Sequence, residues 1–183
     1  MLTVKLVTTD QEIDGISTLS KANLRSTLSA GEKDKEGFVT WVYTPEALKA
    51  IDSIIPSVIV RDGDTVAAYA LSLTPACAEV YPPMAETNDL VLKLSYQGRP
   101  LSERKAYYCG QICVAESYRG QGLVSMLYEF HKKTFSSQFD CLVTEISHAN
   151  PRSLKAHYKV GFQPIATHED DMGNWEVVLW DWR

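Results

Sequence analysis

The sequence predicts one α/β domain over residues 1–183, in the element order β-α-α-β-β-β-α-β-α-β-β. Three observations lead there. Successive segments switch between two-residue and three-to-four-residue apolar spacing, which marks strands and helices in turn. A glycine-bearing turn, Arg119-Gly120-Gln121-Gly122, joins a strand-like run to a helix-like one. No internal repeat or low-complexity tract divides the chain, and its length suffices for one core.

Residues 2–7 read as a strand. Thr8, Thr9 and Asp10 offer N-caps to a helix whose apolar stripe is Ile13, Ile16, Leu19 and Leu24. Residues 30–40 are polar and read as a mobile loop. A helix over 45–54 carries Pro45 near its start, where a missing N–H costs nothing. Residues 57–61 and 65–73 are rich in β-formers and flank Asp62-Gly63, a hairpin signal. Residues 74–105 contain Pro75, Pro82, Pro83 and Pro100 and read as irregular, with a short helix or strand at 90–94. A loop of that length in a compact domain is functional or disordered. A strand at 107–114, a helix at 122–135, a strand at 140–147 and a helix at 150–159 follow. Strands at 162–168 and 175–182, joined by a turn at 169–174, complete the chain.

Net charge is −5, which gives a nucleic-acid partner no electrostatic support. The apolar fraction of 45% and charged fraction of 22% are those of a globular chain. No 18-residue apolar run suggests a membrane span, and the first ten residues lack a signal-peptide core. The expected location is the cytoplasm. Cys77, Cys109, Cys113 and Cys141 form no C-x-x-C pair and no zinc spacing with histidine, so no metal is expected. Buried thiols are the default, with Cys109 and Cys113 on one strand face.

Residues 114–124 read V-A-E-S-Y-R-G-Q-G-L-V, and helical spacing begins at Leu123, Met126, Leu127 and Phe130. Glycines let backbone approach a ligand closely, and the first helical N–H groups lack internal partners. Such a turn suits an anion, phosphate above all. No Lys-Ser/Thr follows the second glycine, so it is not a P-loop, and Ser125 breaks the dinucleotide pattern G-x-G-x-x-G. Downstream, residues 148–162 read H-A-N-P-R-S-L-K-A-H-Y-K-V-G-F. Asn150 suits an N-cap, Pro151 the first helical position and Gly161 the stop.

Together these segments resemble the GNAT acyltransferases. Val114, Tyr118, Arg119, Gly120 and Gly122 match the family's pyrophosphate loop, V-x-P-x-Y-R-G-x-G. Glu116 and Val124 depart from it, at positions where the family often has Pro and Gly or Ala. Asn150, Ser153, Tyr158, Gly161 and Phe162 match the second motif. The resemblance implies a mixed sheet with helices on both faces and acetyl-CoA as cosubstrate. It implies that backbone N–H groups from Arg119, Gly120, Gln121, Gly122, Leu123 and Val124 grip the pyrophosphate. The strand end Ile112, Cys113 and Val114 would pair with the pantetheine arm, one N–H polarising the thioester carbonyl. Asn150 and Ser153 would bind the cofactor, though helix capping explains both equally. Tyr158 holds the position of the general acid that protonates the leaving thiolate.

The implied reaction is acetyl transfer to a primary amine by direct attack through a tetrahedral intermediate. The acceptor is a small molecule, an amino acid or a peptide amine. For the base, Glu145 on the strand at 140–147 competes with His148 and Tyr108, and a solvated face explains Glu145 as well. Acceptor choice should lie in residues 30–44 and 75–105. There Glu79, Glu86 and Asp89 would attract a cation and Tyr81 or Trp41 form an aromatic wall, unless these are surface acids on a loop. A degenerate CoA-binding sensor or partner module is the alternative function, and a homodimer is compatible with either.

Overall fold

Eight of the nine residues of β3 (Thr65–Leu73) are buried. A strand covered on both faces needs helices on each side and neighbours on both edges. The structure, a computed structural model describing residues 1–27 and 37–183, provides both. β3 lies third in a seven-stranded sheet with β1 (Leu2–Leu6), β2 (Val58–Asp62), β6 (Ala106–Val114), β7 (Cys141–Ser147), β8 (Gln163–Asp170) and β9 (Gly173–Asp181). Their order is β1-β2-β3-β6-β7-β9-β8. Every neighbouring pair is antiparallel except β6 and β7.

On one face lie α1 (Asp10–Ala22) and α2 (Pro45–Asp52), packed on each other. On the other, α4 (Leu123–Phe135) crosses β1 to β3 and meets α5 (Pro151–Val160). The side chains of β3 declare the two faces. Tyr69 bonds Gln111, which also accepts from Ser20 of α1, while Ser72 meets Tyr107, whose hydroxyl reaches His131 of α4. The buried stripe of α4 runs Leu123, Leu127, His131 and Phe135, a strict four-residue spacing.

The caps are those the sequence suggests. Thr9 and Glu12 form a capping box on α1, and Asn150 caps α5 through Ser153 N. The mixed sheet, its helices on both faces and the order of the eleven main elements also agree with the sequence reading. Three details differ. The irregular stretch holds a helix, α3 (Met84–Leu92), and a two-residue-strand hairpin of β4 (Ser95–Tyr96) and β5 (Arg99–Pro100). α3 was hard to see because only Met84 and Val91 are buried, seven apart, with Thr, Asn and Asp between them. In the β2–β3 hairpin Asp62 pairs with Thr65, so the turn residues are Gly63 and Asp64 rather than Asp62-Gly63.

The third difference is in β6. Between Cys109 and Ile112 the chain spends three steps against two on β3, a bulge that reverses the alternation. Cys109 therefore shares the α4 face with Tyr107, while Cys113 pairs with Tyr69 on the α1 face. All four cysteines are free and buried. The loop expected at 30–40 lies mostly outside the described residues. Among the described residues no helix is long and apolar enough to cross a membrane.

Candidate functional site

The parallel strands β6 and β7 pair only through Ala106, Tyr107 and Tyr108, opposite Cys141, Leu142 and Val143. Beyond that they part. Thr144 closes the fork by donating to the Cys109 carbonyl at 2.8 Å. The bulge then carries β6 away, and Gly110 lets it pack closely at the bend: a Cβ there would stand 2.3 Å from Leu73 Cδ1, which would have to move. Ala115 donates to Ala67 at 2.9 Å, so by ladder alternation Cys113 faces β3. The N–H groups of Ile112 and Val114 consequently point into the gap.

The turn after β6 leads to the same gap. Gly120 and Gly122 take φ of 76° and 79°, in the left-handed region that favours glycine. A Cβ at either would meet nothing within 4 Å, so open space rather than packing lies beyond them. No side chain caps α4. Its first amide with a helical acceptor is Met126, donating to Gly122 at 3.1 Å. The amides of Leu123, Val124 and Ser125 thus precede the hydrogen-bonded ladder, at the wall of a cavity of about 270 Å³.

Three cavities follow the gap in line. The first, beside the glycine turn, is also lined by Arg119, Arg152 and Lys159, with no carboxylate among its described residues. The second, about 70 Å³, shares Ile112, Asn150, Ser153 and His157 with the first. It shares Trp41, Gly110, Thr144, Glu145 and Trp175 with the third, which is about 500 Å³. The third is lined by Glu86, Glu145 and Asp170 and by no described lysine or arginine. One end of the cleft is cationic and the other anionic, in a chain of net charge −5.

Of the residues singled out in the sequence, Ile112, Cys113, Val114, Arg119, Gly120, Gly122, Leu123, Val124, Asn150 and Ser153 all line the first cavity. Gln121 does not; its side chain bonds the Ser117 carbonyl at 3.3 Å. The Arg119 guanidinium braces the turn on Val114 O at 3.3 Å and Asn23 Oδ1 at 2.6 Å. Asn150 is engaged at both ends, accepting from Ser153 N and donating to Phe38 O at 3.0 Å. Trp41, Tyr81, Tyr108 and Glu86 line the third cavity, whereas Glu79, Asp89 and His148 line none.

Glu145 sits where the second and third cavities meet. Burial raises its pKa, and the neighbouring His168, 3.6 Å away, only partly counters this. Glu145 Oε1 has no hydrogen-bond partner. A largely desolvated carboxylate where two cavities meet suits proton abstraction. Tyr158 lies elsewhere. It is 41% exposed, lines none of the three cavities, and hydrogen-bonds Glu176. Burial and that carboxylate push the phenol up to about 12.

Sequence reasoning passed over His157, one residue earlier, which is buried and lines both the first and second cavities. It also passed over Arg152 and Lys159. Their signal was available: 152, 156 and 159 fall on one helical face, and that face of α5 looks across the gap at the glycine turn.

The model of the acetyltransferase (GNAT) family matches residues 32–162. No curated protein matches the sequence. Among solved structures, Ard1 from Thermoplasma volcanium superposes with a TM-score of 0.67 at 13% identity, covering 98% of this chain and 97% of that one. The NatC complex bound to Gag peptide and CoA gives 0.65 at 14% identity, covering 98% of each. The ribosomal-protein-S18-alanine N-acetyltransferase from Escherichia coli gives 0.58 at 12%, covering 98% and 91%. Identities this low speak for the fold alone. The family match, over more than two thirds of the chain, includes both the glycine turn and the helix that faces it, and this protein belongs to the GNAT acetyltransferase family.

Proposed function

We propose that the protein transfers an acetyl group from acetyl-CoA to a primary amine. One observation carries this: uncapped α4 amides and three cations face a cavity that runs, through the β6–β7 gap, into a separate anionic one. The first end fits a phosphorylated cosubstrate, through amides at a helix N-terminus and through Arg119, Arg152 and Lys159. The open space over Gly120 and Gly122 leaves room for phosphate oxygens against the backbone. The NatC neighbour, solved with CoA, agrees with that choice of ligand.

Acetyl-CoA supplies an activated acetyl thioester. The chain supplies the rest. Ile112 and Val114 present N–H groups along the gap, placed to hydrogen-bond an extended arm and a carbonyl oxygen. Preorganised donors of this kind contribute about 3–4 kcal/mol where charge develops on oxygen. Glu145 takes the amine's proton, directly or through water. Asn150 and Ser153 shape the wall between the two ends.

The position of Tyr158 favours a second reading, in which the domain binds CoA without transferring its acetyl group. Two measurements separate these readings. Thermal denaturation with acetyl-CoA, ATP or NAD tests the cosubstrate: at a hundredfold excess over Kd, binding adds about 2.7 kcal/mol, a midpoint rise of several degrees. A rise with acetyl-CoA alone is expected. Thiol release in the presence of amines then tests transfer. No rise at millimolar acetyl-CoA sinks both readings, and a rise with no release from any amine leaves the sensor.

A further inference from the structure

We infer that the acceptor is a small primary amine with an apolar, ring-bearing body and no carboxylate beside the amine: an arylalkylamine rather than an amino acid. The inference rests on the acetyl-transfer reading and deepens it.

The third cavity has a continuous aromatic wall. Trp175 and Trp41 lie 6.5 Å apart between centroids, Trp41 and Tyr43 6.5 Å, and Tyr43 and Tyr81 5.1 Å. To the same lining α3 contributes Met84, Leu90 and Val91. Rings and apolar chains take up a ligand body of the same kind, and a cavity of about 500 Å³ is of the size that holds small molecules.

Charge then orients the ligand. Three carboxylates line the cavity, and they are not equivalent. Asp170 is held in place, its Oδ1 accepting from Trp175 Nε1 and from the amides of Met172 and Gly173. Glu145 stands at the bridge to the second cavity, its Oε1 buried against His168 Nε2 at 3.6 Å, and Glu86, in the first turn of α3, has no side-chain partner among the described residues. Carboxylates beside aromatic faces attract an ammonium ion from water. The amine must end near Glu145, which among the described residues is the carboxylate that lines both this cavity and the second.

The same arrangement rejects amino acids. A carboxylate on the amine-bearing carbon would lie beside Glu145 with no described lysine or arginine in the lining to receive it, and His168, the imidazole in that lining, is already turned to Glu145 at 3.6 Å. Among the described residues the Arg25 guanidinium bonds the Met172 carbonyl, at 3.5 Å, and sits over Phe38, outside the lining. An unpaired anion against a buried carboxylate is the arrangement that discriminates strongly.

The test compares phenethylamine and tryptamine with phenylalanine and tryptophan, and with a tripeptide amide beginning in phenylalanine. Thiol release gives kcat/KM, calorimetry gives binding without acetyl-CoA, and the acetyl-CoA midpoint shift is read on the same preparation. The amines should exceed the matching amino acids and the peptide at least tenfold in kcat/KM and in affinity. Glu86→Gln and Tyr81→Leu should each raise KM for the amines severalfold while leaving the acetyl-CoA shift unchanged. An amino acid or peptide that equals the amines overturns the inference and leaves acetyl transfer standing. So does a protein that binds acetyl-CoA yet neither binds nor acetylates either amine. An amine preference in calorimetry without any acetyl-CoA shift upholds the pocket assignment and overturns the transfer reading.

Discussion

Tyr128 donates its hydroxyl hydrogen to Nε2 of His157 across 2.6 Å. The direction follows from the other side of the ring: Nδ1 stands 2.8 Å from the Ser153 carbonyl, which can only accept, so Nδ1 carries the hydrogen. Burial holds the imidazole down to about 4, and His131, deep under α4, down to about 3. Both rings are neutral and fixed, one of them in the wall of the cleft.

Two histidines buried in the neutral form make the fold acid-sensitive above the ordinary carboxylate range. Their folded pKa values lie below 6.5, so their contribution is complete above that pH and is lost as pH falls. Each costs about 1.4 kcal/mol per pH unit below 6.5, so urea denaturation at pH 7, 6 and 5 should show stability dropping by roughly 2–3 kcal/mol over the last step. His157→Gln should about halve the slope. A flat profile from pH 7 to 5 would show that the rings are solvated.

A second acid transition belongs to Glu12. Burial opposes its ionisation, but Lys5 at 2.6 Å, the Thr8 amide and Arg61 at 3.0 Å outweigh this and hold the carboxyl at about 2. A depressed carboxylate stabilises above the unfolded pKa near 4.5 and loses that contribution as pH falls toward 2. The shift corresponds to about 3 kcal/mol. Glu12→Gln should therefore destabilise by that order at pH 7 and by little at pH 2.5, which differential denaturation at the two pH values checks.

Glu145→Gln should reduce thiol release by two orders of magnitude or more, the scale of a lost general base, with acetyl-CoA stabilisation intact. Because burial raises its pKa, wild-type activity should fall as pH drops through a limb lying above the ordinary carboxylate range. Tyr158→Phe should change the rate by about twofold or less, since the phenol is held on Glu176 away from the cavities. A rate loss for Tyr158→Phe matching that for Glu145→Gln would mean that α5 turns in the working enzyme.

Gly122→Ala places a Cβ at φ 79°, at a strain of roughly 1–2 kcal/mol, in the space facing the first cavity. Gly63→Ala carries similar strain in the β2–β3 turn, outside the lining of all three cavities. Both should lower the midpoint of the unliganded protein by comparable amounts. Only Gly122→Ala should also shrink the acetyl-CoA shift, and equal shifts for both variants would remove the glycine turn from the binding site.

The sequence carried the order of elements along the chain, the caps and the glycine turn because each is written locally: Asn150 and Pro151 mark a helix start whatever surrounds them. It carried Ile112 and Val114 as strand but not the direction of their amides, which depends on pairing with Ala70 and Ala68. Tyr158 was chosen over His157 by residue type alone. One step along a helix turns a side chain about 100°, and the packing of His157 against Tyr128 and Phe162 decided which of the two faces the cleft. The third cavity was least legible, since it joins Trp41, Tyr81, Glu145 and Trp175 from four separate segments.

Only three residue pairs zip β6 to β7, and the join also divides the chain in sequence. Strands on one side come from residues 2–114 and on the other from residues 141–181, with α4 between them. The second half closes through short turns and one helix, whereas the first must close the longer connections over residues 7–57 and 74–105. Refolding should then proceed with the half over residues 141–181 early, the half over residues 2–114 later, and docking last. A cut in the 136–140 turn would leave two fragments whose reassociation rebuilds the cleft itself, so that recovered ligand binding reports on their meeting.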